Sequence, residues 1–230
     1  MRKSSKGTLA TALAVSIALA TAACTPAEPP RPDPTEVVTE YLEAIASGDA
    51  TTARKLDATG IDDADRRWAD LETLRTDAVL AGAQRIENVT VDPDTTRSVA
   101  AAGDPQDARQ VTFTYELAGQ QVSSALDVTW NAEDDEWQLA DSLTMHLYVM
   151  AEVNAIEKAL VSFDVPGASV RQPTDQEAAT LNFLVYPAVY SVTADLDPAL
   201  LTDPTAGVTQ EVTVDLAAQP AAVFPVTQLP

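Results

Sequence analysis

A single change of period governs this chain. Up to about residue 82 the apolar residues recur every three or four positions, and beyond it they recur every second position. Val37, Val38, Tyr41, Leu42 and Ile45 share one face of a helix, and Trp68, Leu71, Leu74, Ala78 and Val79 share a face of another. Val111, Phe113, Tyr115 and Leu117 then alternate with Thr112, Thr114 and Glu116. Leu126, Val128 and Trp130 alternate with Asp127, Thr129 and Asn131. Helices first and antiparallel strands afterwards can bury their apolar faces together by laying the helices on one side of a curved sheet. The expected class is therefore α+β.

Local signals place the boundaries. Thr35 stands where a helix N-cap is wanted, and Gly48 stops that helix. Asp49 caps a second, short helix through Leu56. Gly60 breaks the chain again, and Asp62, Asp63 and Asp65 crowd the start of a third helix, where the helix dipole favours acids. That helix is expected to end at Gly82. Residues 86 to 92 read as a strand, Gly119 as a turn and Glu133 to Glu136 as an acidic loop. Trp137 and Leu139 open another short strand.

The first thirty residues have a different logic. Arg2, Lys3 and Lys6 precede sixteen uncharged residues, Thr8 to Ala23. A spanning helix needs about 20 apolar residues, so this run suits the h-region of a signal peptide. It ends in Leu19-Ala20-Thr21-Ala22-Ala23-Cys24, with the only cysteine of the chain. Small residues before that cysteine resemble a bacterial lipobox, in which the Cys is freed, becomes residue one and is acylated. Thr21 departs from the pattern, because Leu, Val or Ile usually stands there. Ala20-Thr21-Ala22 also reads as a plain A-x-A secretory cleavage site. An exported chain seldom keeps a lone thiol without a use, which favours the lipoprotein reading. Residues 1–23 are then the signal peptide. Residues 24–34 are the lipidated Cys24 and a stiff linker with five prolines, Pro26, Pro29, Pro30, Pro32 and Pro34.

Beyond residue 141 the signals are those of strands alone. Met145, Leu147 and Val149 alternate with Thr144, His146 and Tyr148, and Ala159, Val161, Phe163 and Val165 with Leu160, Ser162 and Asp164. Pro166-Gly167 fits a type II turn. Val189 and Ser191 alternate with Tyr190, Val192 and Ala194, and Val208, Val212, Val214 and Leu216 make a further strand. Short strands spaced by turns suggest a small all-β sandwich. The expected division is a 35–141 α+β domain, able to fold alone, and a 142–230 β-sandwich.

Pro34-Thr35-Glu36-Val37-Val38-Thr39-Glu40-Tyr41-Leu42-Glu43-Ala44-Ile45-Ala46-Ser47-Gly48-Asp49 resembles the opening helix of NTF2-like domains, most specifically in YLEAIASGD. The order of elements extends the likeness over roughly a hundred residues, ending with Trp137 where these folds carry a late tryptophan. The resemblance implies an NTF2-like cone, three helices on a curved antiparallel sheet. Such cones enclose pockets in some relatives, among them isomerases and hydratases. Tyr41, Trp68, Tyr115, Trp130 and Trp137 are the residues that would line one; they are equally the large residues a core of this size needs. Residues 161–192 resemble small β-domains that follow NTF2-like domains in some Gram-positive surface proteins. Tyr186-Pro187-Ala188-Val189-Tyr190 stands in place of their FPG-x-Y-like turn, with Ala188 where Gly is expected.

Charge and composition narrow the function. Fourteen Lys and Arg against 35 Asp and Glu give -21, which excludes a nucleic-acid footprint. From Cys24 onward the balance is eleven against 35, or -24. After Arg171 there is no Lys or Arg, against seven acids, so a cationic partner is one reading and a solvated, self-repelling surface the other. One Cys and one His leave little for zinc or acid–base chemistry. His146 lies on the polar face of its strand, where it is either a general base or pH switch or, more simply, a surface or inter-domain residue. Asp62-Asp63-Asp65, Asp92-Asp94 and Glu133-Asp134-Asp135-Glu136 do not follow a calcium-loop pattern. Acids are expected at helix starts, turns and loops, and no buried acid beside a tyrosine is evident. Few lysines with abundant Ala, Asp and Thr suggest a GC-rich, actinobacterial-type genome.

The sequence thus points to an acidic lipoprotein, palmitate-type acylated at Cys24, on the extracytoplasmic face of the cell membrane. Its expected role is non-catalytic binding or protein interaction at the cell envelope, with the membrane reached through the anchor and an envelope protein or a cationic partner as the binding partner. No metal, cofactor or catalytic residue is expected. The alternatives are an isomerase- or hydratase-type enzyme using the cone, and an accessory or sensor subunit for cell-wall synthesis.

Overall fold

A computed structural model describes residues 31–68, 70–98, 107–152, 160–171, 180–196, 209–216 and 220–225. The signal peptide, Cys24, the linker up to Pro30, and Ala159, Asp175, Glu177, Asp197, Asp203 and Val208 lie outside these residues. So do the side chains of Trp68, Asp94 and Val161.

Helix α1, Thr35–Ser47, buries Val38, Tyr41, Leu42, Ala44 and Ile45. Its first turn is capped by Asp33 rather than by Thr35: the Asp33 carboxylate accepts from the Thr35 amide at 2.9 Å and the Thr35 hydroxyl at 2.8 Å. Gly48 closes the helix at φ 88°, a left-handed conformation that suits glycine, and its amide returns to the carbonyls of Ala44 and Ile45. Helix α2, Ala50–Leu56, is capped by Asp49, which accepts from the Thr52 amide at 2.9 Å. That amide and the Thr52 hydroxyl hold the Asp49 carboxyl below the usual carboxylate range.

The third helix expected between residues 62 and 82 is two short ones, α3 (Asp65–Trp68) and α4 (Asp77–Gly82). The bends between them bring the Asp70 amide to the Asn182 carbonyl at 3.2 Å. They also turn the charged Arg75 inward, which a continuous amphipathic helix has no reason to do.

A four-stranded antiparallel sheet follows, in the order β2 (Glu87–Ser98), β3 (Ala108–Leu117), β4 (Gln120–Asn131), β5 (Glu136–Leu139). The turn Ala118-Gly119 has both φ positive, 51° and 76°, as two-residue primed hairpin turns require. Alternation sends Val111, Phe113, Tyr115, Leu117, Leu126, Val128 and Trp130 into the core. Trp130 and Trp137 face each other across β4 and β5, with ring centroids 5.4 Å apart.

Two further sheets are built after residue 144. One places β12 (Ala221–Pro225) parallel to β6 (Met145–Glu152), which pairs antiparallel with β9 (Thr180–Val185). In the other, β10 (Ala188–Leu196) pairs with β7 (Leu160–Val165) and β11 (Thr209–Val214), and β7 with β8 (Ala168–Arg171). The two-residue link Tyr186-Pro187 carries the chain from one sheet to the other. The observed class is a β-rich α+β fold with open, mainly antiparallel sheets.

The boundary expected at residue 141 does not separate two bodies. Strand β1, Gln84–Arg85, belongs to the first segment yet pairs with Val189 and Ala188 of β10. The Pro166-Gly167 turn packs on α4 so closely that a Cβ on Gly167 would stand 2.4 Å from the Ala78 backbone. Buried residues from Val38 to Phe224 form one core cluster, and Arg31–Pro230 is one compact unit. A fragment of residues 31–141 would expose Leu80, Ile86 and the polar groups described next. Its urea unfolding, followed by near-ultraviolet circular dichroism, is expected to show no cooperative transition, whereas residues 31–230 give a single one.

Candidate functional site

The most polar part of the core lies where the two segments meet. Asp57, the C-cap of α2, is fully buried, and Arg75 is 3% exposed. Arg75 Nη2 donates to Asp57 Oδ1 at 2.6 Å and to the Tyr186 hydroxyl at 2.7 Å. Asp57 Oδ2 accepts from the Tyr41 hydroxyl at 3.0 Å and the Ser142 hydroxyl at 2.8 Å. The Tyr41 oxygen in turn accepts from the Leu143 amide at 3.0 Å. The guanidinium sits 5.0 Å from the centre of the Tyr186 ring, which meets Tyr41 edge-on at 6.3 Å. The Tyr190 hydroxyl donates to the Tyr186 carbonyl at 2.9 Å, so the Tyr-Pro-Ala-Val-Tyr stretch bonds back on itself.

A buried carboxylate and guanidinium lose much hydration, and only close pairing with further hydrogen bonds compensates. Both Asp57 oxygens are engaged here. Gly60 makes the approach feasible: a Cβ there would stand 2.5 Å from the Asp141 carbonyl, next to Ser142. Burial, then the Asp57 charge, pushes the Tyr41 hydroxyl well above its ordinary value. Burial and then Asp57 also push Tyr186 up, with Arg75 partly countering. Burial pulls the Arg75 guanidinium down, but Asp57 and Tyr186 outweigh it and leave it raised.

The expectation that acids occupy solvated helix starts, turns and loops fails at Asp57. One signal was available: an acid at a helix C-terminus opposes the dipole and calls for a cationic partner.

The five nominated aromatics do not share a cavity among the described residues. Tyr41 belongs to the buried network. Tyr115 stacks on Phe113 at 6.2 Å, and burial, then Asp215, pushes its hydroxyl up to about 12. Trp130 carries the Arg31 guanidinium at 4.9 Å. Trp137 alone lines a groove of about 390 Å³ between α1, α2 and β5, with Pro32, Asp33, Glu36, Val37, Glu40, Lys55, Leu56, Thr59, Glu136 and Gln138. The side chain of Trp68 lies outside the described residues.

His146 joins the segments a second time. Its Nε2 lies 2.7 Å from Asp65 Oδ1 and its Nδ1 2.8 Å from Asn182 Oδ1, with the ring stacked on Tyr148 at 5.7 Å. In the acidic runs, Asp62 accepts from the Ala64 amide and Asp134 from Asn131. Among the described residues no group of three His, Cys, Asp or Glu is placed to hold a metal.

No family model matches this chain, and neither does any curated protein.

Two outcomes follow from the buried network. Asp57→Ala, which strands Arg75 in the core, is expected to lower unfolding free energy by about 3–5 kcal/mol, and Asp57→Leu with Arg75→Met by clearly less than the two single losses together. Urea titration of the unsubstituted protein, Asp57→Ala, the single variants Asp57→Leu and Arg75→Met, and the double variant checks this. Alkali supplies the second test. Tyr41, Tyr115, Tyr186 and Tyr190 ionise near pH 10 when unfolded and at higher pH when folded. Their contribution is complete below about pH 10 and is lost above it, by up to ~1.4 kcal/mol per pH unit for each tyrosine. Stability measured between about pH 9 and 12 should fall with that steepening slope, and Tyr41→Phe should flatten it.

Proposed function

We propose that this chain is an exported lipoprotein, anchored by Cys24 on the extracytoplasmic face of a bacterial membrane, whose folded body has a non-catalytic binding or protein-interaction role at the envelope. The observation that carries this reading is the position of the only cysteine: it closes the apolar leader and stands seven residues before Arg31.

From Arg31 onward the linker is fastened to the body. Arg31 Nη1 pairs with Asp107 at 2.8 Å and lies over Trp130, and the Trp137 indole donates to the Pro32 carbonyl at 2.9 Å. Seven residues extend at most about 25 Å, so an anchor at Cys24 would hold the Trp130–Trp137 face near the membrane. The excess of acids opposes adhesion to anionic headgroups at that range. Among the described residues no helix is long and apolar enough to cross a membrane.

The resemblance to an NTF2-like cone is supported by α1 and α2 preceding an antiparallel four-stranded sheet, and that to a β-sandwich by the sheets after residue 144 that meet through Phe163 and Phe183 at 5.4 Å. The enzyme reading has one observation in its favour, a buried carboxylate beside Tyr41. Against it, Asp57 spends both oxygens on Arg75, Tyr41 and Ser142, and it does not line the groove. The binding reading is therefore preferred.

Cys24→Ala is expected to move the protein from the membrane fraction to the soluble fraction, and intact-mass analysis of the native protein should give a chain beginning at a triply or doubly acylated residue 24. An unacylated mature chain beginning at Ala23 would contradict the anchor.

A further inference from the structure

We propose that Asp65, His146 and Asn182 form a pH-operated clamp, which holds α3 against β6 and β9 while the imidazole carries two protons and loosens when it carries one. This goes beyond the binding role and does not depend on the anchor.

The Asp57–Arg75 network and the His146 cluster both join the two segments, but they differ in kind. Asp57 and Arg75 are sealed in the core, where burial and then Asp57 push the Tyr41 and Tyr186 hydroxyls upward, away from neutral pH. His146 is the only imidazole of the chain. Its side chain is 29% exposed and that of Asp65 30%, so protons reach both from solvent. Histidine is the side chain that ordinarily changes charge between about pH 5 and 8.

Both ring nitrogens face an oxygen. Nε2 lies 2.7 Å from Asp65 Oδ1, and Nδ1 lies 2.8 Å from Asn182 Oδ1. A neutral imidazole donates from one nitrogen and carries a lone pair on the other; only the imidazolium donates from both. The closed geometry therefore matches the doubly protonated ring, with a charge-assisted bond to the Asp65 carboxylate. A ring that loses one proton keeps one donor, and its other nitrogen is left with a lone pair against an oxygen. The neutral ring suits both partners only if the Asn182 amide turns over to present Nδ2, and Asp65 then faces an uncharged donor.

The neighbouring elements supply no second charge to take over. Strands β9 and β12 contain no titratable residue, and β6 contributes Tyr148, stacked on the ring. Around α3, Asp62 accepts from the Ala64 amide, Arg66 donates to the Ala58 and Ile61 carbonyls, and Asp70 accepts from the Glu72 and Thr73 amides. Asp63 and Arg67 are exposed. Asn182 holds this stretch twice, since its side chain meets His146 and its carbonyl accepts from the Asp70 amide at 3.2 Å. The clamp thus acts on the segment that leads to Arg75. Because the closed geometry matches the ring with two protons, closure is favoured as pH falls and weakens as pH rises.

The test is NMR of the mature full-length chain at about pH 5.5 and about pH 8. Two signals are read: the protonation of the His146 ring nitrogens, and exchange of the Asp70 amide as a protection factor against the unfolded chain at the same pH. The ring should carry two N–H groups at the lower pH and one at the higher, and Asp70 protection should fall roughly fivefold or more between them. Asp65→Asn should lose most of that fall, as should His146→Phe, which keeps an aromatic ring beside Tyr148. The slowest amides of β3 should keep their protection in all three proteins. A ring with one proton at both pH values would overturn the clamp, as would Asp70 protection that is constant or rises with pH. So would a fall of equal size in Asp65→Asn and His146→Phe, or one shared by β3, which would make the change global.

Discussion

The buried pair of Asp57 and Arg75 is the constraint on which the rest of this structure depends. Two charges removed from water are tolerable only if partners surround them, and here the partners come from distant parts of the chain. Asp57 ends α2, Arg75 lies between α3 and α4, Tyr41 is on α1, Ser142 follows β5, and Tyr186 links β9 to β10. If any of these elements moves away, a charge or hydroxyl stays buried without its bond. The network therefore sets the helices, the first sheet and the later sheets in one arrangement, and the apolar core fills in around it.

That arrangement has consequences at the surface. With α1 and α2 fixed by Tyr41 and Asp57, their outer faces and β5 make the walls of the groove. With β4 and β5 fixed beneath them, Trp130 and Trp137 can hold Arg31 and Pro32, so the chain leaves the body from a defined point. The groove and the exit of the linker share Pro32 and Trp137.

Much of the fold was legible because period and punctuation are local properties. The stripe on α1, the Asp49 cap, the Gly119 turn and the alternation of β3 and β4 all follow from residues within a few positions of one another. What was not legible came from contacts distant in sequence. Leu71, Leu74, Ala78 and Val79 keep a helical spacing, yet the chain bends because Asp70 pairs with Asn182 and Arg75 must reach Asp57. The division at residue 141 looked natural because the pattern becomes all strands there, but β1 crosses it to pair with β10. At the site, Trp137 was named as a lining residue through the resemblance to NTF2-like cones. Asp57 was missed because burial of an acid depends on a cation eighteen residues away.

Native-state hydrogen exchange measures the central claim, that one buried network makes the two segments one cooperative body. Along increasing denaturant, the slowest amides of α1 and β3 and those of β6 and β10 should converge on one opening free energy and one denaturant dependence. Two separate limits, one for residues 35–141 and another for those beyond, would mean that each segment opens by itself and that the Asp57–Arg75 network does not join them.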